Sequence, residues 1–299
     1  MKAPNLPNSL IPGIHATLLA LTMLGPVVAG TPLTATAAQA SSASSVAYPL
    51  KVSANGRYLV DQNNTPFLIA GDTPQGLISR LTEKEADDYF ADRKAHGFNT
   101  MGWIDVACAG RDYPTNIYAA TPDGIRPFTG LIPGGTDYTH YDLSKPNEAY
   151  FARLDRIVAL AAKDGILVFI DPVETAGWLP TLRNNGLTVA YAYGQYLGNR
   201  YKKFANIAWL NGNDFGGWQN SSDDALVRGV AKGIKSADPG HIQTVEFNPP
   251  TGSSLDDSSW AAIISINGAY YTDRLIFKCC ITTIRLLLCR SFSWKRIMS

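Results

Sequence analysis

With 299 residues, a formal net charge of +1 and 17% charged side chains, the chain can bury a large core and has no basic stripe that could track a phosphate backbone. Its aromatic residues are not interleaved with Lys or Arg, which excludes nucleic acid as the expected partner. The length suits one large barrel or two ordinary domains, and one is expected here.

Lys2 opens a weakly basic leader, an apolar block covers Ala16–Ala29, and a small-residue A-x-A ends at Ala38–Ala40, the layout of a secretory signal peptide. The block is shorter than the roughly 18 apolar residues of a membrane span, and Gly25-Pro26 interrupts it. Residues 1–40 are therefore expected to be a signal removed near Ala40, and residues 41–50 a short Ser-rich leader. The chain would be secreted or periplasmic, with no stable membrane span. Cys108 stands alone in the body, and Cys279, Cys280 and Cys289 fall in the last segment. That is no spaced disulfide framework, and no His accompanies these residues at ligand spacing, so neither a metal site nor a cofactor is expected.

The body, residues 51–273, opens with alternating runs flanking Asn55-Gly56, a hairpin signal. Phe67–Ala70 is expected as a short buried strand. Thr82-Glu83-Lys84-Glu85 reads as a capping box opening a helix that runs to about Ala95, where Gly97 stops it. Phe98–Ile104 is the next apolar strand. A helix follows Pro146 and closes at Gly165, and Ile166–Ile170 is a third strand. Thr188–Lys203 is expected to be helical, Ile207–Leu210 a strand, Ser222–Ala237 a helix ended by Pro239-Gly240, and Ile242–Val245 and Ile263–Ile266 two more strands.

Short apolar strands alternating with helices imply an α/β protein whose parallel sheet is covered on both faces. No strand runs into a Gly-x-Gly-x-x-Gly turn or a Walker-type loop, so a (β/α)8 TIM barrel with an N-terminal β-hairpin fits better than a doubly wound sheet.

In such a barrel the chemistry lies where the strands end. Here the apolar runs lead into Asp72, Asp105, Asp171 with Glu174, Asp214, and Glu246, accompanied by Trp103, Trp178, Phe215, Trp218, Tyr270 and Tyr271. Carboxylates hold and protonate sugar oxygens, and aromatic rings stack on the C–H face of a pyranose or furanose. Each acid alone has a plainer reading: Asp72 can cap a turn, Asp171 before Pro172 can fix a loop, and Glu246 can be a solvated strand end. Their recurrence at one end carries the weight. The long loop Asp105–Lys145 is expected to be a lid or cleft wall. His140 within it reads as solvated, and His96 as answering a helix dipole.

GRYLVDQNNTPFLIAGDTPQGL, LTEKEADDYFADRKAHGFNTM, YFARLDRIVALAAKDGILVFIDPV and YGQYLGNRYKKFANIAWLNGNDF together resemble the apiosidase-like glycoside hydrolases, bacterial barrels whose founding activity removes apiose from pectic side chains. The resemblance implies a glycosidase of plant cell-wall or related polysaccharide side chains. It places the catalytic acid at Asp214, within Trp209-Leu210-Asn211-Gly212-Asn213-Asp214, with Asn213 and Trp218 shaping the site. It also implies that Asp72 holds substrate hydroxyls, while Trp103, Asp105, Glu174, Trp178 and Glu246 are expected to bind substrate from their places at the strand ends, with an oligosaccharide or polysaccharide as partner.

The family's second carboxylate, a Glu after the seventh strand, has no counterpart, because no Asp or Glu follows Asp273. Residues 274–299 are basic and Cys-rich and lack Gly and Pro, which reads as translation in a shifted frame or as an amphipathic terminal segment. The barrel is therefore expected to be incomplete, with strands seven and eight missing. Three functions remain open: a glycosidase impaired unless Glu246 or Glu174 substitutes, a non-catalytic carbohydrate-binding protein, and a non-functional truncated product.

Overall fold

A computed structural model describes residues 45–108, 118–248, 253–270 and 287–290. The expected signal peptide and most of the basic tail lie outside the described residues. Strands β1 (Lys51–Val52), β2 (Leu59–Val60) and β3 (Pro66–Phe67) form a small antiparallel sheet, the expected hairpin plus its third run. Its first reversal is wider than a two-residue turn. The Ser53 amide donates to Tyr58 O at 2.8 Å, Gly56 takes φ 72°, and Asn55 Oδ1 accepts from the Arg57 amide at 3.1 Å.

Strands β4 (Gly71–Asp72), β5 (Thr100–Asp105), β6 (Leu167–Asp171), β7 (Ile207–Phe215) and β8 (Gln243–Phe247) then form a parallel sheet in chain order. Helices α1 (Leu77–Arg80), α2 (Glu83–Ala95), α3 (Glu148–Lys163), α4 (Thr175–Tyr201) and α5 (Ser221–Ala237) make the crossovers. Strand β9 (Asn267–Tyr270) follows β8, where the Ser265 and Ile266 amides both donate to Gln243 O and Thr244 Oγ1 donates to Ile266 O. Strand β10 (Leu287–Arg290) pairs parallel with β9, Leu287 opposite Asn267. It supplies a seventh strand from a segment whose sequence suggests none. Sequential parallel strands with helical crossovers are the order of a (β/α)8 barrel, and the arc is incomplete: among the described residues no strand joins β10 to β4.

Strand side chains alternate between two cores. Val168, Ile170, Ile207, Trp209 and Val245 pack outward on helix residues such as Phe90, Leu154, Leu197 and Ile234. Leu167, Phe169, Ala208 and Leu210 point the other way and cluster with Trp103, Ile242 and Ile266 inside the arc. Leu50 and Leu59 of the hairpin join that inner cluster, and Tyr48 Oη donates to Gly165 O at 3.0 Å, just before β6 begins. The hairpin therefore plugs the N-terminal end of the arc.

The capping box is present as expected: the Thr82 side chain accepts from Glu85 N, and the Glu85 carboxylate accepts from Thr82 N. Gly97 and Gly165 end their helices at φ 82° and 71°. Three boundaries differ from the sequence expectation. Phe67–Ala70 is no buried strand: Leu68 is 85% exposed, and the Asn99 side chain bonds Leu68 O and the Ala70 amide at 2.8 and 2.9 Å. The barrel strand begins at Gly71, where a Cβ would lie 3.1 Å from Thr100 O. Helix α4 starts at Thr175, well before Thr188; Pro180 and the break at Gly186 (φ 77°) hide its first half. The strand expected at Ile263–Ile266 lies at Asn267–Tyr270, because Ile263 and Ile264 sit in the turn after Trp260 and pack in the outer core.

Helices α4 and α5 touch through glycines. A Cβ on Gly194 would stand 2.1 Å from Val230 O, and one on Gly233 would stand 2.1 Å from Tyr191 O. Both obstacles are backbone. Gly194→Ala is expected to lower stability by roughly 1–3 kcal/mol in chemical denaturation, since the helices must part to admit the methyl group.

At the start of β8, Asp238 accepts from Trp209 Nε1 at 2.9 Å and contacts His241 Nδ1 at 2.8 Å. Burial opposes ionisation of Asp238, but these hydrogen bonds outweigh it and hold its pKa below the usual value. A lowered folded pKa stabilises the fold fully above the unfolded value of about 4, and that stabilisation is lost as pH falls through the folded value. Asp238→Asn is thus expected to cost about 1–3 kcal/mol near neutrality, a gap that urea titrations should show narrowing in acid.

Candidate active site

The parallel sheet brings Asp105 and Asp171 side by side at the C-terminal ends of β5 and β6, where they are register partners, 1% and 0% exposed. The Asp105 amide donates to Gln75 O at 3.1 Å, and the Val106 amide donates to Asp171 O at 2.9 Å, so the backbones of both acids are fixed. Asp171 Oδ1 accepts from the Val173 amide at 3.0 Å. Burial pushes the Asp105 carboxyl well up, and the charges of Asp171 and Glu174 add to the rise. Asp171 is also raised, chiefly by burial and then by Glu174 and Glu246, while hydrogen bonds from the Val173 amide and from Asp105 work against the rise. Two buried acids at paired positions on adjacent strands each oppose ionisation of the other.

Glu246, near the end of β8, is buried at 8% exposure. Glu174 caps α4, its Oε1 accepting from the Ala176 amide at 2.8 Å, and it bridges to Asn213 of β7. Thr175 Oγ1 donates to Asn213 O at 2.6 Å, which stitches the first turn of α4 to the end of β7.

That strand end is irregular. Asn211 pairs with Val245 and Phe215 with Phe247, but the register shifts between them; Gly212 takes φ 72° and Asp214 φ 49°. Asp214 is the one residue of β7 that is not buried. A left-handed aspartate at a bulge turns its side chain out of the ladder, the kind of strained position that recurs at functional sites. Asn211 is structural, its amide donating to Gln243 Oε1 and Thr244 O at 3.1 and 3.0 Å. Asn213 is 2% exposed.

The aromatics divide. Trp103 is buried in the inner core. Trp178 is buried too, stacked on Tyr141 with centroids 6.0 Å apart and planes at 9°. Trp218 is half-buried and stacks on Phe247 at 4.7 Å and 13°. The long loop after β5 is a packed wall over residues 118–147: Thr181 Oγ1 donates to Tyr138 O at 3.1 Å, and Asn185 Nδ2 donates to Tyr141 O at 2.8 Å. Residues 109–117 of that loop lie outside the described residues. His140 meets Thr139 Oγ1 at 2.9 Å and lies 3.8 Å from Asp137, while His96 closes α2 with Nδ1 at 2.8 Å from Asp92 O.

Asp72 is engaged in a different direction. Its Oδ2 accepts from Tyr89 Oη at 2.7 Å and from Arg93 at 3.2 Å, and its Oδ1 from the Thr73 amide at 2.8 Å, so its carboxylate ties β4 to α2. Of the acids read from the sequence, the structure brings together Asp105, Asp171, Glu174 and Glu246, with Asp214 on the neighbouring bulge. Sequence reasoning counted Asp171 among the strand-end acids, with fixing a loop as its plainer role, and gave Cys108 none. The signal for Asp171 was present in two adjacent apolar runs that both end on Asp.

Among the described residues no group of three or more His, Cys, Asp or Glu side chains is arranged to hold a metal ion, and no helix is long and apolar enough to cross a membrane.

Asp214→Ala is expected to cost about 1–2 kcal/mol through backbone strain alone, whereas Asp214→Gly and Asp214→Asn keep wild-type stability; thermal unfolding of the three variants checks this.

No curated protein matches the chain. Among solved structures it is similar to a glycoside hydrolase at 26% identity and a TM-score of 0.59, the match covering 74% of this chain and 45% of that one. It is similar also to a glycoside hydrolase family 5 protein from Bacteroides vulgatus ATCC 8482, at 25% identity and a TM-score of 0.59, over 75% of this chain and 44% of that one. The chain thus spans less than half the length of either structure. Residues 53–271, from the hairpin loop past β9, match the family described as "Apiosidase-like, catalytic domain". By that match, which takes in every acid of the strand ends from Asp72 to Glu246, the chain belongs to the apiosidase-like family.

Proposed function

We propose that the protein is a glycoside hydrolase that cleaves an O-glycosidic bond in a plant cell-wall or related polysaccharide side chain, with Asp214 as the general acid. The observation that carries this is the left-handed Asp214, the unburied residue of β7, standing on a bulge at the C-terminal end of the sheet beside four buried acids. Family membership and the resemblance to solved glycoside hydrolases support the reaction class. In this role Asp214 protonates the leaving oxygen while Trp218, stacked on Phe247, offers a ring face to the sugar. Asn213, Trp103, Trp178 and Asp105 line or support the same end, and Asp72 steadies α2 behind it. The signal-like leader supports export.

Glycoside cleavage uses two carboxylates. Among the acids at the strand ends, Glu246 and Glu174 are the candidates for the second. Glu246 is the better choice, because Glu174 already commits Oε1 to the cap of α4. The burial of the other four strand-end acids favours a second reading, a carbohydrate-binding protein without turnover.

One experiment separates them: incubate the protein and Asp214→Asn with apiose-bearing pectic oligosaccharide, measuring released sugar and, by calorimetry, binding. Hydrolysis by the wild type with a loss of at least 100-fold in Asp214→Asn supports the hydrolase. Binding without product supports the second reading, and equal turnover by both proteins removes Asp214 from the mechanism.

A further inference from the structure

Two acids of the site do not fit the roles of proton donor or nucleophile. Asp105 and Asp171 are almost fully buried register partners on adjacent parallel strands. Asp171 also holds the chain that follows it. Its Oδ1 accepts from the Val173 amide at 3.0 Å, and two residues further on Glu174 caps α4, the helix that carries Trp178. Tyr193 Oη, from the second half of α4, donates to Pro172 O at 3.3 Å, and on the Asp105 side Tyr150 Oη donates to Val106 O at 2.8 Å.

We infer that Asp105 is a positioning residue: it keeps a proton, donates it to Asp171, and so fixes the segment 172–174 that delivers Glu174 and Trp178 to the open end of the arc. The inference rests on the proposed glycosidase reading only for the use to which that end is put.

The chemistry of the neighbourhood gives the direction of the proton. The Val173 amide donates to Asp171 Oδ1 at 3.0 Å, whereas both oxygens of Asp105 are buried with no hydrogen-bond donor among the described residues. A protonated Asp105 can donate to Asp171. A protonated Asp171 would leave Asp105 as the buried anion with no donor to steady it. The titratable groups facing the pair are Glu174 at the α4 cap, Glu246 on β8, Tyr150 on α3, Tyr193 on α4 and Cys108 on the segment after β5. The acids among them disfavour a second negative charge. Together with burial they favour keeping one proton on the pair.

An asymmetry between substitutions follows. The amide of Asn at position 105 reproduces a protonated acid, with N–H toward Asp171. Asn at 171 cannot reproduce a carboxylate that accepts from both Asp105 and Val173. Ala at 105 leaves Asp171 without its donor.

The pH sign is the reverse of that for a depressed carboxylate. A folded pKa above the unfolded value means that unfolding releases a proton, so this stabilisation is complete below about pH 4 and declines as pH rises toward the folded value.

The test is thermal unfolding of the full chain and of D105N, D105A and D171N between pH 5 and 8. D105N is expected to keep the wild-type Tm at pH 5, to match or exceed it at pH 8, and to release about one proton fewer on unfolding. D105A and D171N are expected to lose Tm at both pH values. The inference is overturned if D105N falls as far as D105A, or if D171N is the tolerated variant, or if the proton release of D105N equals that of the wild type. These readouts need no substrate, so they stand whichever way the turnover of Asp214→Asn comes out.

Discussion

Parallel pairing makes every strand of the arc end at the same side, and the rest of the molecule answers to that constraint. A residue that closes an apolar run in the sequence is carried to a common end in space. Runs that finish on Asp or Glu therefore collect acids in one place whether or not each acid is favourable there alone. The cost is electrostatic, and the molecule meets it by keeping a proton on one carboxyl and spreading hydrogen-bond donors over the others: the Val173 amide for Asp171, the Ala176 amide for Glu174.

The opposite end is closed by hydrocarbon. Leu50 and Leu59 extend the inner cluster downward, so water is excluded beneath the acids, and the layer of Trp103, Phe169 and Leu210 forms a floor of low polarity. Such a floor strengthens each charge interaction above it. The hairpin thus bears on the chemistry at a distance, through the dielectric environment of the site.

Much of this was legible in the sequence because it depends on local signals. The capping box at Thr82, the stopping glycines 97 and 165, and the sequence of strands and crossovers each follow from residues close along the chain. The misplacements came where tertiary contacts outvoted local pattern. Phe67–Ala70 looks apolar, yet Asn99 captures its backbone from the next strand. Ile263 and Ile264 look like a strand, yet the outer core draws them into a turn. The sequence pattern starts this helix only at Thr188, yet α4 runs from Thr175 through Pro180 and a break at Gly186. At the site, the acids could be read from their positions at the ends of apolar runs, but their pairing could not, because register between strands is a property of the sheet. The left-handed turn at Asp214 was equally hidden: Gly212 hinted at it, but an aspartate in that conformation becomes visible only in the backbone.

The edge strand β4 has one further consequence. It is two residues long and pairs, among the described residues, with β5 alone. An arc that does not close on itself would ordinarily present a long row of free amides and carbonyls to any passing chain. Here the row is about as short as a strand can be, and Asn99 occupies the backbone just ahead of it. At the β4 side the arc is therefore a poor template for adding strands.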